Sequence, residues 1–333
     1  YRRQRQMCIR DRGSSLAEAT MKAMEAVFLN WPHDDTGEWC EGPVGFGQVV
    51  LWNTPESRNE TLPRFQTSEA GRLILAADAR LDNREELARE LLPDVQVTGL
   101  TDSELLIAAY RKWGQSCPQH LLGDFAFVIW DEAAQLLFCA RDQIGVRPFY
   151  YSLDEANFVF ASHVHAVAAS NLADKSLCEP ALFKYLKEGE LYSPDLTFYA
   201  GIKKLPPGST LTLDESGAAL RTYWHLEDSP QAARENIEVY RLELERLLEQ
   251  SIACRLRTDF PVAAHLSGGL DSSLITALAA TALRERGQTL KTYNWCPRSS
   301  GGEPDLSPEL FLSSLMAEKF ELDHQFVSLT VDN

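Results

Sequence analysis

The sequence lacks the hydrophobic segments of membrane-spanning and exported proteins. It contains no apolar run of about 18 residues. No apolar core comes after a basic start, as it does in a signal peptide. We therefore expect neither a membrane span nor a membrane partner, and we expect the protein to be cytoplasmic.

Paired cysteine motifs and excess positive charge are also missing. The seven Cys residues include no C-x-x-C pair, which argues against a disulfide framework and against a zinc site. Lys and Arg number 32 against 48 Asp and Glu, a formal net charge of −16. Because binding a nucleic-acid backbone requires clustered positive charge, we expect no nucleic-acid partner.

The composition is that of a globular protein. The chain has 333 residues, of which 44% are hydrophobic and 24% are charged, enough to bury a sizeable core and to form two domains.

Residues 1–12, YRRQRQMCIRDR, differ in composition from the rest of the chain. They hold five Arg and one Asp without any period, and the chain opens on Tyr. We interpret this segment as non-native and leave it out of the fold. A native, disordered basic arm is the alternative.

Residues 13–225 have the pattern of an α+β domain with antiparallel hairpins. Apolar residues recur near a 3.6-residue period in the helix predicted for 15–29. The capping box TDSE opens another helix, in which Thr101 or Asp102 accepts the first N–H groups. We predict strands at 44–52, 72–81, 124–130, 135–141, 147–151 and 157–162, helices at 83–91 and 102–113, and a hairpin turning at Asp214 to Gly217.

A polar, acidic stretch at 226–234 is the predicted linker to a second domain, residues 235–333. This domain opens with an amphipathic helix at 235–256, whose apolar stripe we assign to Tyr240, Leu244, Leu247, Leu248 and Ser251. Strands at 261–266, 290–295 and 325–329 alternate with helical segments, so we predict a parallel sheet of the doubly wound α/β type. The first of these strands has no apolar alternation and is predicted to be buried on both faces.

The segment HLSGGLDSS combines a strand end, a glycine turn and a helix start. Glycine lets the backbone approach a ligand closely, and the free N–H groups at the helix start attract an anion. The hydroxyls of Ser272 and Ser273 add donors, and the Asp271 carboxylate suits a divalent cation. This pattern resembles the signature of the ATP pyrophosphatases and predicts a nucleotide site; a ligand-free turn with a Ser or Asp cap is the alternative.

Five stretches resemble, in order and spacing, the asparagine synthetase family. They are GDFAFVIWD (123–131), ARDQIGVRPFYY (140–151), GIKKLPPG (201–208), YW (223–224) and PVAAHLSGGLDSS (261–273). The resemblance implies a class II glutamine amidotransferase-like domain with the αββα sandwich of the N-terminal-nucleophile type. It also implies a second, ATP-pyrophosphatase domain that binds ATP and Mg²⁺.

The resemblance also implies roles for single residues of the turn and of the second parallel strand. Leu266 and Trp295 stand where family members contact the adenosine part of ATP. For Trp295 the alternative is a core aromatic. The residues that correspond to pyrophosphate and Mg²⁺ contacts are Ser267, Gly268, Gly269, Asp271 and Ser272.

The glutamine pocket departs from the family pattern. The family's Arg falls on Val50 and its Asn-Gly pair on Asp78-Ala79; Asp102 alone is kept, and it has an alternative interpretation as a helix cap. Val removes a bidentate contact to the glutamine carboxylate, and Asp78 would repel that carboxylate. The family's nucleophile is an N-terminal Cys that opens a strand. We interpret Cys8 as an accidental match and the first strand as missing.

These features predict a carbon–nitrogen ligase that forms acyl-AMP and does not hydrolyse glutamine. The runs ADARLDNREEL and LWNTPESRNETLP resemble β-lactam synthetase and the macrolactam-forming lasso peptide cyclases. The substrate is then a small molecule or peptide that supplies the carboxylate and the amine, and a second copy of the chain or other biosynthetic proteins are its expected partners. Glutamine-dependent asparagine synthesis and a degenerate, non-catalytic binding module are the alternatives; the acidic charge disfavours a tRNA-modifying pyrophosphatase.

The synthetase domain is predicted to be truncated. Only 75 residues come after Thr258, and they provide three strands, so we expect the second Mg²⁺ carboxylate and most of the acceptor pocket to be absent and this stretch alone to be inactive. Residues 296–308 have the composition of a loop, either near the nucleotide or on the plain surface.

Overall fold

The computed structural model describes residues 5–11, 16–42, 44–226, 236–295 and 308–327, and side chains from residue 18 onward within these ranges. The chain divides into two compact units at residue 227, with Asn53–Pro55 grouped with the second. The predicted linker lies, apart from Leu226, outside the described residues. None of the described helices has the length and hydropathy needed to span a bilayer.

The first unit contains twelve strands and five α-helices in its described residues. The strands are β1 (Arg5–Asp11), β2 (Asp35–Glu41), β3 (Val44–Val50), β4 (Arg64–Ser68), β5 (Gly71–Leu81), β6 (Gly123–Asp131), β7 (Leu136–Arg141), β8 (Tyr150–Leu153), β9 (Asn157–Ala161), β10 (Lys203–Lys204), β11 (Ser209–Asp214) and β12 (Gly217–Thr222). The helices are α1 (Leu16–Leu29), α2 (Arg84–Leu91), α3 (Asp102–Trp113), α4 (Val164–Ala169) and α5 (Glu179–Glu188).

Two six-stranded antiparallel sheets form the centre of this unit, in the orders β10-β8-β9-β1-β3-β2 and β12-β11-β7-β6-β5-β4. Strand alternation divides the core into layers. Along β6, Phe125 and Phe127 pack with α2 and α3, whereas Val128 packs between the sheets with Phe46 and Phe160. The helices α1 and α4 cover the outer face of the first sheet. The predicted αββα sandwich is confirmed.

A strand occupies the position where none was expected. The interpretation of residues 1–12 as lying outside the fold does not hold for Arg5–Asp11, because β1 pairs with β3 on one side and β9 on the other. Cys8 is the fourth residue of β1, opposite Phe46 and Phe160. Backbone hydrogen bonds complete this sheet, and they are available to any non-proline sequence, so a polar composition does not prevent the pairing.

Three strand assignments differ from the sequence prediction. The strands β2 and β4 were not predicted; both lie at sheet edges and are largely exposed, so they lack the apolar pattern of buried strands. The strand predicted for 147–151 begins instead at Tyr150. Before it, the backbone N–H groups of Val146 and Arg147 donate to the Asp142 carboxylate at 2.8 and 2.9 Å, which holds this segment in a turn.

The second unit contains a three-stranded parallel sheet in the order β13-β14-β15, as predicted. Its described elements are α6 (Ile237–Arg255), β13 (Ala263–His265), α7 (Leu270–Glu285), β14 (Lys291–Trp295), α8 (Pro308–Phe320) and β15 (Asp323–Val327). Ile252 of α6 and Leu256, which directly follows the helix, pack against Leu283 of α7, with Ala264 of β13 beside them.

Two burial predictions for this unit are wrong within the described ranges. The alternate residues Ala263 and His265 of β13 are exposed, because α6 and α7 cover only the face that carries Ala264. The predicted stripe of α6 is also exposed, apart from the half-buried Leu248: Leu244 is 57% accessible, and the helix buries Ile252 instead.

Candidate functional site

The first residue after β13, Leu266, still forms a hydrogen bond to the neighbouring strand of the parallel sheet. Leu266 is fully buried, and its N–H donates to the Tyr293 carbonyl of β14 at 2.8 Å. The turn therefore starts from a rigid point at the carboxyl end of a parallel strand, the edge at which open α/β sheets bind ligands.

Gly268 shapes the turn. Its φ is +81°, in the region that favours glycine. A Cβ built on it would collide with the Glu309 carbonyl oxygen and lie 3.1 Å from the Ser313 nitrogen, both in α8. Only glycine combines this conformation with so close an approach to α8.

The hydroxyls of Ser267 and Ser272 form a hydrogen bond that connects the two ends of the turn. Ser267 Oγ and Ser272 Oγ lie 2.9 Å apart. Ser272 Oγ also accepts from the Ser267 N–H at 3.3 Å and lies 3.2 Å from the Gly269 carbonyl oxygen, to which it donates. The Gly269 N–H points to Ser267 Oγ at 3.4 Å. Hydroxyl groups and a backbone N–H thus converge on one small volume.

The start of α7 adds further donors. Gly269 is its N-cap and provides no side-chain cap, and the first intrahelical bond runs from Ser273 N–H to Gly269 O at 3.0 Å. The N–H groups of the first turn have no carbonyl partner within the helix. An uncapped N-terminus of a 16-residue helix attracts an anion through these groups and the helix dipole.

Asp271 lies within the turn at residues 267–273, and Trp295 ends the neighbouring strand β14. Asp271 lies in the first turn of α7 and is exposed, which suits a carboxylate that holds a solvated divalent cation. In the described ranges no group of three or more His, Cys, Asp or Glu is arranged to hold a metal ion by itself. Trp295 ends β14 and is 48% accessible, so it is not a core aromatic. The loop predicted for 296–308 lies, except for Pro308, outside the described residues.

The four positions of the expected glutamine pocket lie in the first unit. Val50 ends β3 and is buried, Asp78 and Ala79 lie near the end of β5, and Asp102 opens α3. Gln48 links the two sheets here, because its Nε2 donates to the Ala77 carbonyl at 3.1 Å.

Asp78 carries its own counter-ion. Arg147 Nη1 lies 3.2 Å from Asp78 Oδ1, and both side chains are buried. The expected repulsion of a ligand carboxylate by Asp78 is therefore offset by a positive charge that sequence reasoning missed. The signal was present, because Arg147 lies in the quoted motif ARDQIGVRPFYY.

Asp102 does not cap α3. Thr101 is the N-cap: Glu104 N–H donates to its Oγ1 at 3.2 Å, and Glu104 Oε2 accepts from the Thr101 N–H at 2.8 Å. Asp102 forms a buried ion pair with Arg84, which also donates to the Leu100 carbonyl. The alternative interpretation of Asp102 as a cap is wrong, because one residue earlier a hydroxyl with extended backbone geometry already satisfies the helix.

Glu60 is a further acid beside α3 that the sequence did not single out. Its Oε1 accepts from the Ser103 N–H at 3.1 Å. Burial raises the pKa of the Glu60 carboxyl to about 7, although the hydrogen bonds from Ser103 act in the opposite direction.

Comparison with protein families gives two adjoining matches. A glutamine amidotransferase domain family matches residues 9–224, and the asparagine synthase family matches residues 243–333. Together they cover most of the chain.

The chain is also similar to curated asparagine synthetases and to an amidase. The glutamine-hydrolysing asparagine synthetase 3 of Bacillus subtilis is 31% identical over 83% of this chain and 45% of its own length. An amidase of Gibberella zeae is 30% identical over 76% of this chain and 37% of its own. The glutamine-hydrolysing asparagine synthetase 1 of Bacillus subtilis is 29% identical over 83% and 42%. The chain spans less than half the length of these relatives.

Solved structures share the fold at low identity. The glutamine phosphoribosylpyrophosphate amidotransferase of Bacillus subtilis, complexed with ADP and GMP, aligns with a TM-score of 0.50 and 12% identity over 98% of this chain and 91% of that chain. An allosteric regulatory enzyme of purine biosynthesis aligns with a TM-score of 0.52 and 13% identity over 98% and 90%. The amidotransferase family match alone exceeds half of the chain, and the asparagine synthase match adjoins it: the chain belongs to the asparagine synthetase family.

Proposed function

We propose that the protein is an ATP-dependent amide-forming ligase that activates a carboxylate as an acyl-adenylate. A carboxylate oxygen attacks the α-phosphorus of ATP, the bond to the β-phosphate oxygen breaks, and pyrophosphate leaves. An amine nitrogen then attacks the acyl carbon, loses a proton, and displaces AMP.

The turn at residues 267–273 is the observation that carries this proposal. Pyrophosphate leaves with growing negative charge, and donors placed in advance lower the barrier for such a step. The Ser267 and Ser272 hydroxyls and the uncapped start of α7 are donors of this kind. Ser273 lies in the same turn of the helix.

The remaining proposed contacts concern the adenosine and the metal. Leu266 directly follows β13, and the exposed Trp295 ends the adjacent parallel strand β14; both bind the adenosine part of ATP. Asp271 holds the Mg²⁺ that accompanies ATP. When bound, Mg²⁺ neutralises charge on the phosphates.

We further propose that glutamine is not the amine donor. The buried Val50 has no group to bind a carboxylate, and Arg147 is already paired with Asp78. A nucleophilic Cys that uses its own amino group as the base needs that amino group to be free, whereas Cys8 follows Arg5, Gln6 and Met7, which pair with β3. The amine then belongs to the substrate, a small molecule or a peptide, and the reaction takes place in the cytoplasm.

Glutamine-dependent amidation is the second candidate. It is favoured by the names of the Bacillus subtilis relatives, which are glutamine-hydrolysing asparagine synthetases. Ammonia released from glutamine would replace the substrate amine in the second step.

Two assays on the full-length protein separate the candidates. Exchange of labelled pyrophosphate into ATP, dependent on a carboxylate, is expected if acyl-AMP forms; no exchange with any carboxylate from a panel of amino acids and peptides contradicts the proposal. Glutamate release from glutamine is expected to equal that of an enzyme-free blank. Release above the blank would favour the second candidate.

A further inference from the structure

The phosphate turn rests against α8. The backbone of Gly268 approaches Glu309 and Ser313 so closely that a Cβ would lie 3.1 Å from the Ser313 nitrogen. Because protein interiors are close-packed, a shift of the first turns of α8 moves Gly268 with it.

A buried hydrogen bond joins α8 to β14. Asn294 Nδ2 donates to Ser313 Oγ at 2.8 Å, and Ser313 Oγ donates in turn to the Leu310 carbonyl at 2.9 Å. Asn294 is 5% and Ser313 0% accessible. The bond therefore has one fixed direction, from the amide to the hydroxyl, and no competition from solvent.

Asn294 directly precedes Trp295. Successive side chains of a strand point to opposite faces, so Asn294 points to α8 and Trp295 to the other face of the sheet, on which Ala263 and His265 are exposed. The hydrogen bond of Asn294 on one face therefore fixes the backbone position of Trp295, whose side chain lies on the opposite face.

These contacts form one connected path from the adenosine contact to the phosphate turn. It runs from Trp295 through its neighbour Asn294 to Ser313 on α8, and from α8 to Gly268. We propose that Asn294 and Ser313 are positioning residues, which set the spacing between Trp295 and the phosphate turn so that both ends of one ATP molecule are held at once. This inference depends on the proposed nucleotide site.

Two ligands distinguish this role from a general effect on folding. ATP bridges both ends of the path, whereas inorganic pyrophosphate reaches the phosphate turn alone. A change in the spacing between Trp295 and the phosphate turn weakens the binding of ATP but not of pyrophosphate. A loss of folded protein instead weakens the binding of both ligands in proportion.

The chain provides a matched control one residue away. Ser314 Oγ also donates to the Leu310 carbonyl at 2.9 Å, but it lies on the exposed side of α8 and makes no described bond to Asn294. S313A and S314A thus each remove a hydroxyl of α8 that donates to the Leu310 carbonyl, but only S313A also removes the bond to Asn294.

The test is calorimetric titration of the full-length protein and its variants with MgATP and with magnesium pyrophosphate. S313A is expected to raise the dissociation constant of ATP about tenfold, the effect of losing one buried hydrogen bond, and to leave that of pyrophosphate within about twofold. S314A is expected to change neither. N294A combined with S313A is expected to bind ATP no more weakly than S313A alone, because both remove the same bond.

The outcomes separate the inference from the function on which it depends. Equal weakening of both ligands in S313A, unchanged ATP binding in S313A, or equal effects of S313A and S314A would overturn the positioning role. A wild-type protein that binds neither ligand would instead overturn the nucleotide site itself.

Discussion

Ser267 Oγ and Ser272 Oγ lie 2.9 Å apart, across the mouth of the turn that joins β13 to α7. The two hydroxyls form hydrogen bonds with each other and with the Gly269 backbone. A hydroxyl that rotates toward a phosphate oxygen loses one neutral hydrogen bond and gains one to a charged acceptor. The new bond is favoured because a hydrogen bond to a charged acceptor is about twice as strong.

Removal of the Ser272 hydroxyl is expected to impair catalysis more than folding. In the full-length protein, S272A should lower the rate of ATP–pyrophosphate exchange about 100-fold, the effect of losing one preorganised donor to a leaving group. Thr281 provides the control, because its Oγ1 donates to the Ala277 carbonyl at 2.9 Å near the exposed end of the same helix. T281A should leave exchange unchanged, and an equal loss in both variants would argue against a phosphate contact.

Gly268 and Gly287 allow backbone strain to be separated from steric contact. Both have positive φ, +81° and +69°, but a Cβ on Gly287 would meet nothing within 4 Å. G287A is expected to lower the free energy of unfolding by about 1 kcal/mol through strain alone. G268A should lower it by about 1–3 kcal/mol more, because the methyl group collides with α8. Urea denaturation measures the free energy of unfolding of both variants. Equal losses would show that α8 shifts enough to accommodate the methyl group without a steric cost.

Much of the architecture was predictable because it depends on local pattern. The strands of the first unit are indicated by short apolar runs such as β6, whereas their αββα arrangement was implied by the family resemblance; the parallel sheet is indicated by three short strands separated by helices. The turn was recognisable because a positive φ, a close approach and an uncapped helix start all require the particular residues of HLSGGLDSS. The positive φ and the helix start are local to this segment, whereas the close approach is to Glu309 and Ser313 of α8.

The parts that were missed depend on distant partners. The pairing of Asp78 with Arg147, and of Asp102 with Arg84, brings together residues from separate elements, and no local pattern reveals it. The strand β1 depends on backbone pairing with two distant strands on either side of it. The Asn294–Ser313 bond likewise joins a strand to a helix across 18 intervening residues.

The buried pair of Asp78 and Arg147 predicts a large effect on stability. D78A leaves the Arg147 charge buried without this partner and is expected to lower the free energy of unfolding by about 3–5 kcal/mol. The combined variant D78L/R147M should recover most of that loss, since it removes both charges. Chemical denaturation measures each variant.

An exposed ion pair is the comparison for this experiment. Glu243 and Arg246 pair on the surface of α6, at 54% and 57% side-chain accessibility, and E243A should leave the free energy of unfolding almost unchanged because solvent screens the pair. A D78A variant as stable as E243A would show that Arg147 finds another partner.

Glu60 predicts a pH dependence of stability. Its pKa in the folded protein is raised to about 7 from an ordinary value of 4.5, so the folded state retains a proton that the unfolded state has lost. The contribution of Glu60 to stability is complete below pH 4.5 and declines as the pH rises to about 7.

The E60Q variant isolates this contribution. Relative to wild type, it should gain about 2 kcal/mol of unfolding free energy between pH 5 and pH 8, in denaturation curves collected at both values. E215Q, at an exposed position in the turn between β11 and β12, should show no such gain. A pH-independent difference between wild type and E60Q would mean that Glu60 stays ionised.

Direct titration of the full-length protein with MgATP tests the central claim that the turn at residues 267–273 is a nucleotide site. The expected result is saturable binding with a dissociation constant below about 1 mM, weakened at least about tenfold in G268A and retained in G287A. Absence of binding by the wild-type protein, or undiminished binding by G268A, would contradict the claim.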